Sequence, residues 1–247
     1  MRRALSLAAV AIAALLAQPA RAANDFSDWA AIVVAGDWHA HSGAPSEVFD
    51  NARRDIADQL VGIGFSPANI VQFSARPERY TAVGARASTP QLVAGGLWDL
   101  SNRTNTGCLA YFTSHGSGDG IVLGDATLSP DQMARIVGNA CGGRPTVVVV
   151  SACFSGIFVP ALKAPDRIVI TAAASDRTSF GCGETDRYTF FDTCALQWLA
   201  KSGGFPDFAK DVRGCVEARE KKEKVDLPSE PQLYIGPLAA GAIPRWK

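Results

Sequence analysis

The chain has 247 residues, 24 basic and 24 acidic side chains, a formal net charge of zero and a mean hydropathy of +0.07. That balance leaves no basic stripe for nucleic acid, and the length is enough for a core that needs no staples.

At the start, Arg2 and Arg3 precede the apolar run Ala4 to Ala17, and Ala20-Arg21-Ala22 closes it with small residues around a cleavage point. This pattern predicts a secretory signal peptide over residues 1–22, hence export to the periplasm or beyond the cell. The run is too short to span a bilayer, and no later stretch is long enough, so no membrane insertion is expected after cleavage. Removing the leader takes away Arg2, Arg3 and Arg21 and leaves a small acidic excess. Residues 23–247 are expected to form one domain, since no repeat or linker divides them.

Residues 31–35 predict a first strand ending at Gly36. The segment Asp37-Trp38-His39-Ala40-His41 follows, and an H-x-H at a strand end is a possible metal-binding pair. With three histidines in the chain and no carboxylates at ligand spacing, the preferred reading is a loop on a cleft rim, with no metal and no cofactor. Helical spacing of Val48, Ile56 and Leu60 predicts a helix over Glu47 to Val61. Ile70 to Phe73 is a second strand, and the arginine-rich stretch Ser74 to Ala87 lacks a period and is read as a surface loop. Thr89 can cap a helix over Pro90 to Leu100, with the proline in its first turn.

Cys108 to Thr113 is the third strand, followed by the Gly-rich segment 116–120 and a short strand over Ile121 to Leu123. A helix is expected from Ser129-Pro130 to Val137, then strands over Thr146 to Val150 and Arg167 to Thr171. Helices over Phe190 to Ala200 and Phe205 to Lys222 and a last strand over Gln232 to Ile235 complete the chain. Strands alternating with helices predict an α/β three-layer sandwich with a mainly parallel sheet.

Two of these strands end in reactive residues. Thr146-Val-Val-Val-Val150 runs into Ser151-Ala-Cys153, and Leu109-Ala-Tyr-Phe-Thr-Ser114 runs into His115-Gly116. Parallel strands present their carboxyl ends to one cleft, and 38 residues is one strand–helix–strand excursion, which places the two strands side by side. A thiol and an imidazole there are a nucleophile and its proton-transfer partner. The turn after Cys153 is expected to leave N–H groups free at the start of the next helix, lowering the thiol pKa and supplying oxyanion donors.

Six cysteines in an exported chain invite disulfides. Cys108 and Cys141 lie at the same edge of the predicted sheet and suit a bridge. Cys182, Cys194 and Cys215 allow at most one more, and spacing does not choose it.

Taken together, these motifs make the chain similar to the legumain family of cysteine peptidases, the asparaginyl endopeptidases, within the caspase-like fold. The resemblance covers residues 30–203. Tyr111-Phe-Thr-Ser-His115-Gly116-Ser117 resembles the family's histidine motif. Ser151-Ala-Cys153-Phe-Ser-Gly156 resembles its nucleophile motif. The stretch from Ile170 to Phe180, with Ser175, resembles the segment lining the specificity pocket. The resemblance implies a polypeptide substrate, Cys153 attacking the scissile carbonyl through a thioester acyl-enzyme, His115 protonating the leaving amine, and the N–H groups of Gly116 and Cys153 holding the oxyanion. A third, orienting residue is not assignable from the sequence.

Departures from the family concern the substrate. Legumains have an acidic residue where this chain has Ser151, an arginine where Val48 aligns, and an aspartate where Ser114 stands. Asp192 is what remains of the charged pocket set. With Glu47, it is expected to make a pocket for a basic or polar side chain, as readily as one for asparagine. A transamidase or peptide ligase, a catalytically silent binding domain, and a metal hydrolase using His39 and His41 are the other readings. Oligomeric state is not legible.

Overall fold

A computed structural model describes residues 25–246 of the chain. The expected signal peptide lies outside the described residues.

The main sheet has seven strands in the order β10-β9-β8-β4-β1-β2-β3. Its centre is β1 (Trp29–Ala35), β4 (Gly107–Thr113), β8 (Thr146–Ser151) and β9 (Arg167–Thr171). On one side, β2 (Ile70–Ser74) and the two-residue β3 (Arg86–Ala87) extend it in parallel. On the other, β10 (Gln232–Ile235) pairs antiparallel with β9. Central strands bury every residue, so β-branched runs such as Val147 to Val150 satisfy both faces at once. Each fully buried valine contributes about 1.5–3 kcal/mol relative to exposure.

Alternate side chains separate two cores. Ala31, Val33, Leu109, Tyr111, Val147 and Val149 face α1 (Val48–Gly62), α5 (Phe190–Trp198), α6 (Phe205–Lys222) and α7 (Ala239–Ala242). Ala30, Ile32, Ala110, Phe112, Val148 and Val150 face α2 (Pro90–Ser101), α3 (Pro130–Cys141) and α4 (Phe158–Leu162). The result is the expected three-layer α/β sandwich.

A second sheet hangs from the end of β4. The short strands β5 (Gly116–Ser117), β6 (Gly120–Leu123) and β7 (Ala126–Leu128) pair antiparallel, and Ile121, Leu123 and Leu128 bury themselves in the α2/α3 core. Sequence showed only the middle strand, because the outer two are two and three residues long.

Two further differences have local causes. The stretch read as a surface loop over 74–87 contains a 3-10 segment, Pro77–Val83, and β3. The helix expected to end at Val137 continues to Cys141, where a disulfide ties it to β4 at Cys108. The second bridge joins Cys194 of α5 to Cys215 of α6.

Candidate active site

β4 and β8 run in parallel with Thr113 opposite Ser151, and Ser114 N–H donates to the Ser151 carbonyl at 3.1 Å. Both chains then turn out at the same sheet edge, delivering His115 and Cys153 to one cleft. That cleft has a volume of about 510 Å³, and both residues line it with His41, Gly116, Phe180, Cys182 and Asp186. Beneath it, a constriction of about 10 Å³, roughly the room one water needs, is walled by Phe49, Ser151, Phe180 and Thr189 as well as the pair. Another cavity of about 500 Å³, between α2 and α3, has Arg135 as its one charged side chain and no nucleophile.

His115 is held by its surroundings. Its Nε2 lies 3.1 Å from the main-chain carbonyl of His39, and the Phe49 ring meets the imidazole edge-to-face at 5.0 Å. A carbonyl only accepts, so Nε2 carries the proton and Nδ1 is the nitrogen left for exchange in the neutral ring.

The Cys153 thiol is half-buried. Its Sγ accepts from Ser179 N–H at 3.2 Å and donates to the Ser179 carbonyl at 3.5 Å. Burial pushes its pKa above the ordinary cysteine value, with the Ser179 N–H pulling in the opposite direction. The sequence expectation of a thiol lowered by a helix N-terminus does not hold. A 3-10 turn, Ser155–Ile157, and the five-residue α4 follow instead of a long helix. Phe154 sits in the left-handed region at φ 57°, and its N–H donates to the Arg177 carbonyl at 2.7 Å. This turn leaves the Cys153 N–H with no main-chain acceptor among the described residues. Gly116 lies so close that a Cβ there would stand 2.2 Å from the Cys153 carbonyl oxygen.

The remaining sequence-picked residues divide. Ser151 reaches the constriction, its Oγ 3.4 Å from Thr189 Oγ1. Asp192 does not reach the cleft. It is 0% exposed, its two carboxylate oxygens accept from Tyr111 Oη at 2.7 Å and Thr113 Oγ1 at 2.6 Å, and burial raises its pKa. Glu47 also turns away, pairing with Arg76 at 3.0 Å and Arg79 at 3.1 Å and bonding Tyr80. Ser175 is exposed and lines neither the cleft nor the constriction; its main-chain nitrogen packs over Gly156. Both corrections to the acidic pair have one physical reason, that each carboxylate is already satisfied by partners on its own side of the fold.

The carboxylate that does line the cleft is Asp186, which sequence reading passed over. Its Oδ2 accepts from Gly183 N–H at 2.8 Å, and it forms no ion pair among the described residues. His41 lines the same cleft, whereas the His39 ring turns to Asp37 at 2.7 Å. Among the described residues no group of three or more His, Cys, Asp or Glu side chains could hold a metal.

The fold is that of caspases. Over 86% of this chain and 88% of the other, it superposes on caspase-1 from Spodoptera frugiperda with a TM-score of 0.61 at 14% identity. The model of the Peptidase C13 family matches residues 82–215, and the chain belongs to that family. It is a cysteine-type hydrolase, and its substrates are polypeptides. No curated protein matches the sequence.

Proposed function

We propose that the protein is an exported endopeptidase in which residues 23–247 act as one catalytic domain and Cys153 and His115 form the dyad. The observation that carries this reading is the delivery of both side chains to one cleft by adjacent parallel strands, with His115 Nε2 committed to the His39 carbonyl.

The chemistry follows from the groups present. Cys153 rests as the neutral thiol because burial disfavours its charge. As Sγ attacks the scissile carbonyl, His115 Nδ1 takes the thiol proton. The carbonyl oxygen becomes an oxyanion that accepts from the N–H groups of Gly116 and Cys153. Collapse breaks the C–N bond, and the imidazolium passes its proton to the leaving amine. A thioester remains. Water, deprotonated by His115, attacks it and releases the carboxylate and the thiol. If an amine takes the place of water, the product is a new amide, which is the transamidase reading.

Export is supported by the leader pattern and by two disulfides, which persist in oxidising compartments. Among the described residues no helix is long and apolar enough to cross a membrane.

The test is cleavage of a peptide library varied at the residue before the scissile bond, with wild type run beside Cys153→Ala. Turnover lost in the variant supports the dyad. Equal turnover in both proteins sinks it. Adding a free amine and looking for ligated product separates hydrolysis from transamidation.

A further inference from the structure

Two cysteines stay unpaired once the disulfides have formed, Cys153 and Cys182. They line the same cleft and the same constriction beneath it. The loop carrying Cys182 is fastened to the nucleophile's turn, through Ser179 on the Cys153 Sγ and Arg177 on the Phe154 N–H. Cys182 follows three residues after Ser179, flanked by Gly181 and Gly183. Its carbonyl accepts from His41 N–H at 2.9 Å. Gly181 adopts φ 84°, and a Cβ there would stand 2.6 Å from the Phe190 ring. The second thiol is thus tied into the wall of the cleft, half-buried and beside the first.

We infer that Cys182 is a resolving thiol, through which a small-molecule disulfide closes the cleft as a reversible Cys153–Cys182 bridge. The bridge stands on the placement of the two thiols. Its regulatory meaning rests on Cys153 being the nucleophile proposed above.

The order of steps follows from the two environments. Burial and the neighbouring Cys153 push the Cys182 thiol up to about 11. Burial raises the Cys153 thiol too, but the Ser179 N–H on its Sγ opposes that rise, so its thiolate is the first to attack. It displaces one thiolate from a disulfide such as oxidised glutathione and forms a mixed disulfide. Cys182 gives up its proton to solvent and attacks the Cys153 sulfur, releasing the second thiolate. Two protein thiols are oxidised and one small disulfide is reduced to two thiols. A disulfide needs its Cα atoms within about 7 Å, and the lining of one constriction by both cysteines is the placement from which the bridge must meet that span. Reopening is the reverse exchange with a reducing thiol.

The experiment treats the mature protein, with its two structural bridges intact and Cys153 and Cys182 as thiols, with oxidised glutathione, then measures intact mass and maps peptides without reduction. The expected result is a mass lower by two hydrogens, a Cys153–Cys182 peptide distinct from the two existing bridges, and turnover lost and then restored by dithiothreitol. Cys182→Ser, with Cys182→Ala as a second variant, is expected to keep one glutathione on Cys153. Glutathione retained on wild-type Cys153, or both thiols remaining titratable, overturns the inference. A bridge that forms in a protein with no turnover in its reduced state upholds the bridge and counts against the peptidase reading instead.

Discussion

His115 Nε2 and the His39 carbonyl oxygen stand 3.1 Å apart, and the His39 side chain takes no part in that contact. The imidazole's hydrogen-bonding partner is main chain, and the Phe49 ring packs against it edge-to-face. His115→Ala is expected to lower kcat roughly a hundred- to ten-thousandfold, the usual contribution of a positioned acid–base group. His39→Ala keeps the carbonyl and should cost far less. Steady-state kinetics on a library-derived peptide decides between them. Equal damage from both variants would return His39 to the chemistry and favour the metal reading.

Gly116 faces the Cys153 carbonyl with no room for a side chain, whereas Gly118, two residues on, has nothing within 4 Å of where a Cβ would lie. Gly116→Ala must push apart the two turns that carry the dyad. Its expected cost is at least that of losing one oxyanion donor, about a hundred- to a thousandfold in kcat. Gly118→Ala makes the same chemical change in open space. If the two variants behave alike, the close approach does not matter to catalysis.

The strand ends were readable in the sequence because a valine run that stops at a cysteine leaves little choice of face or edge. The placement of His115 and Cys153 at one cleft followed from that logic, and so did the Cys108–Cys141 bridge between β4 and α3. The pocket did not. The resemblance assigns Asp192 to the charged pocket set, yet a first-turn residue on α5 points under the sheet toward Tyr111 and Thr113. Asp186, which reaches the cleft, sits in a stretch without regular structure, where no period reveals direction. A hint was available in the turn signals Gly181 and Gly183, which mark a backbone folded tightly beside the nucleophile.

Asp186 brings to the cleft an acceptor that has no ion pair among the described residues. Substrates whose side chain donates N–H, whether an amide or a cation, are expected to be preferred before the scissile bond. Asp186→Ala should raise KM for these substrates and flatten the preference across the library, while the thiol stays reactive to iodoacetamide. An unchanged preference would mean that the carboxylate serves its own loop through Gly183.

The Cys194–Cys215 bridge closes a sequence separation of 21 residues between two helices packed on the same core. Replacing both cysteines by alanine is expected to cost about 3 kcal/mol, the chain-entropy value for a loop of this size. Guanidinium unfolding should show a lower midpoint, with an m-value that does not fall because the uncrosslinked denatured chain exposes at least as much surface. A midpoint within error of wild type would mean that packing of α5 on α6 holds the loop by itself.

Asp192 gives the fold a predictable response to pH. Its carboxyl is fully buried, faces hydroxyl donors and, among the described residues, no cation, and burial raises its folded pKa above the ordinary 3.8. The folded state thus holds this proton more tightly than the unfolded chain does. The stabilisation is complete below the unfolded pKa and is lost as pH rises through the folded value, because ionisation must then occur inside the core. Asp192→Asn is nearly isosteric and cannot ionise, so it removes that loss. Melting temperatures measured from pH 4 to pH 8 should fall less steeply in the variant than in wild type. Tyr111→Phe, which strips from the carboxyl a donor that favours its charged form, should cost about 1–3 kcal/mol and make the fall with pH steeper than in wild type. Parallel curves for wild type and Asp192→Asn would show that the Tyr111 and Thr113 hydroxyls already hold the carboxylate as an anion.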